Sequence, residues 1–374
     1  MGVGLLASSA WAQQKTVPRY AQRGVGRFIY QTLNDTSSAA SSRILIFPTL
    51  GYAPETSLEI GLRVFALYYA KDDTVVNRLS EIGLYGFVTL RGQFGALLDN
   101  AVYSDQNAYY LLGRVRYQQF PLLFYGIGPD SKPGNPALVN SNYVQIRQRA
   151  LRKVIGNLYA GVEIEFQNLG GVSFEKVDAG FELPVGGQGS TTLELGGALV
   201  YDDRRNVLNV RKGVFFEAAA LRNLPLGNDF RFERILFDGR IYRLLGRRNR
   251  VLAFQATGAF MQGNVPFNNL ALLGGEGTMR GYYAGRYRDK NMLAAQAELR
   301  WLPFGFSKRW GGTLFGGLGT VAPTFRQLRL DQVRWAVGGG ARFLFFQKKD
   351  VYFRADLGFT WEGTGLYFSL GEAF

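Results

Sequence analysis

The stretch VYFRADLGFTW, residues 351–361, decides the fold because its hydrophobicity alternates from one residue to the next. One set of alternate positions is wholly apolar: Val351, Phe353, Ala355, Leu357, Phe359 and Trp361. The other set consists of Tyr352, Arg354, Asp356, Gly358 and Thr360. Successive side chains of a β-strand point to opposite faces. The stretch therefore predicts a strand with one apolar face and one polar face.

Two neighbouring stretches alternate in the same way, MLAAQAELRW at 292–301 and WAVGGGARFLFF at 335–346. A soluble β-sandwich also alternates, but its polar face seldom combines this much glycine with isolated charges in mid-strand. A transmembrane β-barrel has an apolar outer face, a polar lumen and segments of about ten residues. Helical periodicity is weak throughout. The sequence therefore predicts an all-β fold, a transmembrane antiparallel β-barrel.

Alternation and turn residues together predict sixteen strands. Their ranges are 43–50, 57–69, 79–88, 92–102, 107–118, 142–152, 156–168, 192–202, 212–222, 229–243, 250–262, 291–303, 311–321, 333–345, 350–361 and 365–374. A further candidate, 172–183, is assigned to a long loop because bacterial barrels usually have an even strand number. With this assignment one end of the barrel carries the long loops 119–141, 169–191 and 263–290. The other end has short turns such as 244–250 and 347–350.

The composition fits an exported barrel. The 374 residues include 48 glycines and only 12 prolines. The formal net charge of +14 fits either an anionic partner or basic residues that line turns and a water-filled interior. The chain has no cysteine, which excludes disulfide bonds and thiolate metal sites.

The first residues, MGVGLLASSAWAQQ, contain the small-x-small pattern Ala10, Trp11, Ala12 that precedes signal-peptide cleavage, but they lack a basic beginning. We therefore expect a signal-peptide remnant at 1–12, a periplasmic tail at 13–42 and the outer-membrane barrel at 43–374. Thirty residues are too few for an ordinary core. Beyond the first segment, no apolar run approaches the roughly 18 residues of a membrane helix.

Catalytic chemistry finds little support in the sequence. The chain has no histidine, which excludes a Ser-His-Asp triad, a histidine general base and a histidine-ligated metal. No complete G-x-S-x-G, G-x-G-x-x-G or Walker-type motif occurs, and no isolated pair of carboxylates stands out. We expect no enzymatic activity, no metal and no cofactor.

The glycine-rich stretch GGEGTMRGYYAGRYRDKN, residues 274–291, allows three interpretations. A phosphate-binding loop needs a helix N-terminus after it, and no helical periodicity follows. Arg280, Arg286 and Arg288 lie among tyrosines and could stack on single-stranded bases. An exported barrel rarely meets such a ligand, so we expect no nucleic-acid partner. The third interpretation is a structural role for Arg280.

The same stretch carries a family resemblance. LLGGEGTMRGYYAGRYRDKN, followed by a strand containing AELRW, resembles the signature loop of the bacterial surface antigen family, the outer-membrane assembly barrels of the BamA/TamA type. The hallmark of this family is an Arg-Gly-Phe/Tyr triplet, here Arg280, Gly281 and Tyr282. YDDRRNVLNVRKGVFFE (201–217) and FPLLFYGIGPDS (120–131) resemble two further family segments, although Asp203 and Arg205 replace the usual Thr and Asp. The resemblance covers about 120 to 374.

The resemblance implies a loop that folds into the lumen, where its arginine pairs with inward carboxylates. The expected latch consists of Arg280, Gly281, Tyr282, Gly274 and Gly275. Alternation places Glu298 and Asp356 on the polar face, so they are the expected partners, with Glu298 first. A family aspartate in a Phe-x-Asp-x-Gly segment is replaced here by Gly317. The alternative is that Arg280 is solvated in a wide pore.

The resemblance also implies a function. A barrel in the bacterial outer membrane would assist insertion or translocation of polypeptides through a weak seam between its first and last strands. Pro48 and Phe374 mark those strands, and Pro48 lacks an N–H. The expected partners are outer-membrane lipid and lipopolysaccharide, client polypeptides, and a periplasmic or lipoprotein partner, because the tail at 13–42 has no room for periplasmic POTRA modules. The alternative is a passive or gated pore or a structural barrel.

Overall fold

The computed structural model describes residues 43–54, 57–119, 121–178, 180–204, 209–246, 249–347 and 350–374. The expected signal-peptide remnant at 1–12 and tail at 13–42 lie outside the described residues. Within the described ranges, no helix combines the length and the hydrophobicity needed to cross a membrane.

The described chain folds into a closed antiparallel barrel of sixteen strands. Each barrel strand pairs with the next, and the last strand pairs with the first. This result confirms the predicted fold class and strand number. In chain order the strands are β1 (Arg43–Ala53), β2 (Ser57–Tyr69), β3 (Leu79–Thr89), β4 (Phe94–Tyr103), β5 (Tyr109–Gln119), β6 (Leu122–Phe124), β7 (Ala137–Ile155), β8 (Leu158–Glu175), β9 (Ser190–Asp202), β10 (Gly213–Leu224), β11 (Phe232–Leu244), β12 (Arg250–Gly263), β13 (Ala271–Leu273), β14 (Tyr287–Asp289), β15 (Asn291–Trp301), β16 (Trp310–Ala322), β17 (Arg334–Phe346), β18 (Val351–Thr360) and β19 (Gly363–Leu370).

Three of these strands, β6, β13 and β14, are short and do not form part of the barrel wall. β6 pairs only with the beginning of β7, beside the β5–β7 pairing. β13 and β14 form a separate two-stranded hairpin in the connection between β12 and β15. The wall of the barrel is therefore made by the other sixteen.

The stretch 172–183 is divided between strand and loop. β8 continues through Glu175, so the assignment of all of 172–183 to a loop was wrong for its first four residues. This extension pairs with the beginning of β7, with Val139 opposite Phe174 and Leu138 opposite Glu175. Because β7 and β8 lengthen together, they form a hairpin that projects beyond the neighbouring strands, and no additional barrel strand results.

The apolar faces of the strands lie outside the barrel. In β18, Leu357 is 41% exposed whereas Asp356 is fully buried. In β17, Val337 is likewise exposed and Arg342 is buried. A continuous exposed apolar surface around a barrel is the surface that a bilayer covers. The predicted inside and outside faces of these strands are confirmed.

The connections differ in length between the two ends of the barrel. Because the strands are antiparallel, the three longest connections, 120–136, 176–189 and 264–290, share the end opposite the beginning of β1 and the end of β19. The predicted segregation holds for these three. The connections at 54–56 and 361–362 lie at the same end and are short, and they flank the junction of β1 with β19, hereafter the seam.

The interior of the barrel is packed. Tyr103, Tyr110 and Tyr159 form a buried aromatic cluster, with the first two rings stacked 4.2 Å apart. The connection 264–290, hereafter the lumenal loop, folds inside and buries Leu273 and Tyr287 of its hairpin. The lumen therefore contains a loop, as the fold prediction states.

The last strand ends earlier than predicted. β19 ends at Leu370, so Phe374 lies outside the strand that was expected to reach it. Gly371 has φ +86° and its N–H donates to the carbonyl oxygen of Tyr352 at 2.8 Å. Residues with a side chain seldom adopt such a φ, so this glycine turns the chain. Glu372 then pairs with Arg342 at 2.9 Å, which draws the C-terminal residues into the lumen.

Leu195→Arg tests the position of the bilayer on the outer face. Leu195 is exposed near the middle of β9, where an arginine facing lipid destabilises a barrel by about 2–4 kcal/mol. The control, Leu224→Arg, lies at the end of β10 and should cost about 0–1 kcal/mol. The measurement is the free energy of unfolding in lipid vesicles by denaturant titration. Equal losses at both positions would contradict this placement of the bilayer.

Candidate functional site

The tip of the lumenal loop is a compact turn. The N–H of Gly275 donates to Tyr282 O at 3.1 Å, and the N–H of Met279 donates to Gly275 O at 3.3 Å. A Cβ on Gly274 would lie 2.2 Å from the carbonyl oxygen of Tyr283. Gly274 and Gly275 therefore form the base of a turn that a side chain at 274 would open.

Arg280 lies at this tip and is only 1% exposed. Its Nη1 donates to Asp356 Oδ2 at 2.6 Å, and its Nη2 donates to Glu298. Its guanidinium carbon lies 3.7 Å from the centre of the Phe315 ring. Three different strands thus contact one side chain. The structure brings Arg280 together with both expected carboxylates, and the alternative of an arginine solvated in a wide pore does not fit this burial.

Three arginines of the barrel wall share the same two carboxylates. Arg300 Nε lies 2.6 Å from Glu298 Oε2. Arg342 Nη1 lies 2.5 Å from Asp356 Oδ1, and Arg354 Nη1 lies 2.9 Å from Asp356 Oδ2. Each carboxylate therefore accepts hydrogen bonds from the loop and from the wall at once.

Two more carboxylates complete the cluster. Glu276 of the lumenal loop pairs with Arg354, and Glu372 of the C-terminal segment pairs with Arg342. Four arginines and four carboxylates then face one another, so their formal charges cancel. A buried polar cluster that is balanced and hydrogen-bonded fixes one arrangement of its elements. We call this cluster the ion network: Arg280, Arg300, Arg342, Arg354, Glu276, Glu298, Asp356 and Glu372.

Two glycines of the wall support the main chain of the loop. Gly358 and Gly365 are cross-strand partners in β18 and β19. A Cβ on Gly358 would lie 2.5 Å from the carbonyl oxygen of Arg280, and one on Gly365 would lie 3.0 Å from the Cα of Gly281. Gly281 itself has φ +115°, which favours glycine. The loop backbone thus lies directly on the barrel wall.

Two glycines of β16 support the side chains of the loop. A Cβ on Gly317 would lie 3.1 Å from Met279 Sδ, and one on Gly319 would lie 2.5 Å from Leu273 Cδ1. Met279 therefore lies over the position where the family resemblance predicted an aspartate. An apolar contact occupies the site of the missing acceptor.

Tyr367 of β19 fixes the Arg-Gly-Tyr triplet through its hydroxyl group. That oxygen accepts a hydrogen bond from the N–H of Gly281 at 3.0 Å and donates one to the carbonyl oxygen of Tyr282 at 3.1 Å. The Tyr282 ring packs edge-on against Tyr287, with 5.8 Å between ring centres. Burial raises the pKa of the Tyr282 hydroxyl to about 12, so this side chain is neutral at physiological pH.

A second arginine anchors the lumenal loop nearer the outer rim. Arg286 Nε lies 2.6 Å from Glu362 Oε2, and its Nη2 lies 2.8 Å from Oε1 of the same carboxylate. Tyr287 donates its hydroxyl to Glu362 at 2.6 Å, and Arg286 also contacts Ser131. Arg286 therefore ties the β18–β19 turn to the lumenal loop by an ion pair and the connection 120–136 by hydrogen bonds.

The seam has little pairing. Among the described residues, β1 and β19 share one register pair, Tyr52 with Phe368, whereas β1 and β2 share eleven. Pro48 is exposed in β1 opposite Leu62 of β2, and it has no N–H to donate to either neighbouring strand. The first strand is thus held mainly from one side.

Phe374, the other residue expected at the seam, lies in the lumen. Arg300 Nη2 donates to the main-chain oxygen of Phe374 at 3.0 Å and lies over its ring. The ring also packs near Tyr242, 6.5 Å between centres. The predicted location of Phe374 in the last strand was therefore wrong, because contacts inside the barrel hold the C-terminal segment away from the wall.

Sequence reasoning missed the wall arginines, Glu276 and Glu372 as members of the site. Arg300 follows Glu298 by two residues and Arg354 precedes Asp356 by two, so alternation alone places each pair on one face. This signal could have identified those two arginines. No feature of the neighbouring sequence indicates that Glu372 belongs to the site, because its partner Arg342 is 30 residues away.

The chain matches a known family in sequence and known structures in fold. The Omp85 superfamily domain matches residues 138–345, more than half of the chain. The fold is similar to that of BamA from Haemophilus ducreyi lacking POTRA domains 1–3, with 14% identity, a TM-score of 0.58, and 88% of this chain and 70% of that chain covered. No curated protein matches the sequence.

Two CdiB structures are also similar. CdiB from Acinetobacter baumannii has 11% identity and a TM-score of 0.55, with 87% of this chain and 59% of that chain covered. CdiB from Escherichia coli has 9% identity and a TM-score of 0.58, with 91% and 68% covered. At these identities the likeness shows a common fold.

Arg280→Ala tests the contribution of the ion network. Removing one partner of a buried ion pair leaves an uncompensated charge, so we expect a loss of about 3–5 kcal/mol in the free energy of unfolding. The loop should also leave the lumen more often, which raises conductance in planar bilayers. The control is Arg329→Ala, because Arg329 pairs with Asp331 in an exposed connection and should contribute about 0–1 kcal/mol. Unchanged stability and conductance for Arg280→Ala would reject the latch.

Gly358→Ala tests the support of the loop without removing a charge. The added methyl group would overlap the carbonyl of Arg280, so the loop must shift away from the wall. We expect higher conductance and faster proteolysis of the lumenal loop. Gly86→Ala in β3 is the matched control, because its Cβ would have no neighbour closer than 3.9 Å. If the two variants behave alike, close contact at Gly358 is not what holds the loop.

Proposed function

This chain belongs to the Omp85 superfamily of bacterial outer-membrane barrels, and on that basis we propose that it assists the insertion or translocation of polypeptides. The single observation that carries the proposal is the sparsely paired seam. Tyr52 and Phe368 form its one register pair among the described residues, although each strand is fully paired on its other side.

The physical argument rests on unpaired backbone groups. In the hydrocarbon region of a bilayer, each unsatisfied N–H or C=O group costs several kcal/mol. The β1 edge that faces the seam therefore favours any strand that completes its hydrogen bonds. A client segment in extended conformation supplies such a strand by β-augmentation. Opening the seam requires the loss of few existing hydrogen bonds.

The C-terminal segment limits the length of the seam. The chain leaves the wall at Gly371, so β19 has no residues to pair with the first half of β1. Arg342 and Arg300 hold Glu372 and Phe374 in the lumen. The same ion network that holds the lumenal loop thus also holds the residues that directly follow β19.

A permanently open pore is supported less well. Met279 and Arg280 are buried at the tip of the lumenal loop, and a water channel past this tip would expose them. A gated pore would require the loop to leave the ion network. The proposed partners are therefore client polypeptides at the seam, membrane lipid and lipopolysaccharide around the barrel, and a separate periplasmic or lipoprotein partner.

A disulfide across the seam tests the proposal. The chain has no cysteine, so Tyr52→Cys combined with Phe368→Cys introduces one defined pair. Residues opposite each other in antiparallel strands have Cα atoms within disulfide range, at about 4.5–5.5 Å. In cells depleted of the wild-type protein, we expect the oxidised variant not to restore the abundance of client surface proteins, measured by outer-membrane proteomics. A reducing agent should restore it.

The matched control places the disulfide between β1 and β2. Leu50→Cys with Ile60→Cys uses another register pair of exposed residues and leaves the seam free. We expect this variant to restore the proteome in either redox state. Uptake of small solutes is measured in the same cells. Full restoration by the oxidised seam variant, or a depletion phenotype limited to solute uptake, would reject the assembly function.

A further inference from the structure

A cavity of about 310 Å³ lies between the lumenal loop and the wall around β5 to β8. Two arginines line it, Arg116 from the wall strand β5 and Arg288 from β14 of the lumenal loop. Its other walls are mainly apolar and include Phe124, Val139, Leu169, Phe267 and Leu272. The cavity thus combines basic groups with an apolar body.

Arg288 is a buried cation without a carboxylate partner among the described residues. It is 6% exposed, and the hydrogen bond of its side chain within the described residues is a long contact of 3.4 Å from Nη2 to Gly285 O. Its Nε has no partner in the described part of the chain. The adjacent carboxylate of Asp289 instead accepts the N–H of Lys290 at 2.8 Å. Burial lowers the pKa of Arg288 to about 10.

Arg116 is similar. Its Nε is buried and has no hydrogen-bond partner among the described residues. Asp99, the acid closest to it along the neighbouring strand, is already paired with Arg114 at 2.5 Å. A charged guanidinium group that is removed from water and left unpaired is costly.

Two buried arginines elsewhere in the lumen each have two carboxylate partners. Arg149 pairs with both Glu163 and Glu217. Arg234 pairs with both Glu165 and Glu194. The described part of the chain supplies carboxylates to these arginines, and it supplies none to the two that line the cavity.

We propose that this cavity, hereafter the anion pocket, binds an amphipathic anion. A carboxylate or phosphate group faces Arg116 and Arg288, because guanidinium groups bind such groups through paired hydrogen bonds. Arg288 lies over the Phe124 ring, 5.0 Å from its centre, so the apolar part of the ligand packs against Leu169 and Leu272. The volume is at the lower end of the range of ligand pockets, about 300–1,000 Å³, which fits a single acidic group on a short apolar body.

Neither half of such a ligand would suffice alone. A free inorganic anion would leave the apolar walls in contact with water, and a neutral apolar molecule would leave two cations unpaired. A bound amphipathic anion contacts the β13–β14 hairpin and the β5–β8 wall together. It would therefore hold the lumenal loop in the barrel. This proposal rests on the geometry of the cavity and does not depend on a client polypeptide.

The test uses the full barrel in nanodiscs of zwitterionic phosphatidylcholine. Hexyl phosphate is the added probe. Calorimetric titration should show saturable binding, and the unfolding temperature should rise with hexyl phosphate concentration. Arg288→Gln and Arg116→Gln should each weaken binding on the order of tenfold to a hundredfold, the usual range for one charge-assisted hydrogen bond. Arg116 is partly exposed, so its variant should fold even if Arg288→Gln is unstable.

The control variant is Arg147→Gln, since Arg147 lies on β7 opposite Arg114 and does not line the anion pocket. Its affinity for hexyl phosphate should equal that of the wild type. Unchanged affinity in both Arg288→Gln and Arg116→Gln would overturn the proposal. Equal binding of 1-hexanol would remove the role of the acidic group, and equal binding of inorganic phosphate would remove the role of the apolar walls. Either result would also overturn it.

Discussion

The pairing of Arg280 with Glu298 and Asp356 is the interaction on which the interior of this barrel depends. A guanidinium group buried to this extent must have acceptors, and its two carboxylates come from β15 and β18. The lumenal loop therefore fits the lumen in one position. Buried ion pairs add little net stability, because desolvation offsets their attraction, but breaking one is costly. The network selects where the loop lies more than it stabilises the fold.

Several glycines of the inner face follow from this arrangement. Charged side chains and the lumenal loop pack against the inner face of the wall. The wall residues directly beneath them therefore cannot carry a side chain. A Cβ on Gly340 would come 2.0 Å from Asp356 Oδ1, and one on Gly338 would come 2.3 Å from the Phe315 ring that supports Arg280. Gly358 likewise has no side chain that would clash with the backbone of the loop. Glycines on the inner face are thus part of the site.

The sequence predicted features that depend on alternation, and it missed those that depend on register or on distant contacts. Alternation placed Glu298 and Asp356 on the inner face and gave the strand number. It could not show that Arg342 stands directly opposite Arg354, a pairing of like charges that Asp356 makes tolerable. The inward course of Phe374 depends on contacts with distant strands, and a polar inner face gives no local sign of them.

The ion network also connects two features that lie on different parts of the barrel. Glu298 and Asp356 bind Arg280 of the loop, and they bind the wall arginines Arg300 and Arg342. Those wall arginines in turn hold the C-terminal segment, which directly follows β19 at the sparsely paired seam. If the loop leaves, Glu298 and Asp356 lose Arg280 as a partner. They then attract Arg300 and Arg342 more strongly, in competition with Glu372. A change in the loop must therefore alter the free energy of the C-terminal segment, which is the condition for coupling between two sites.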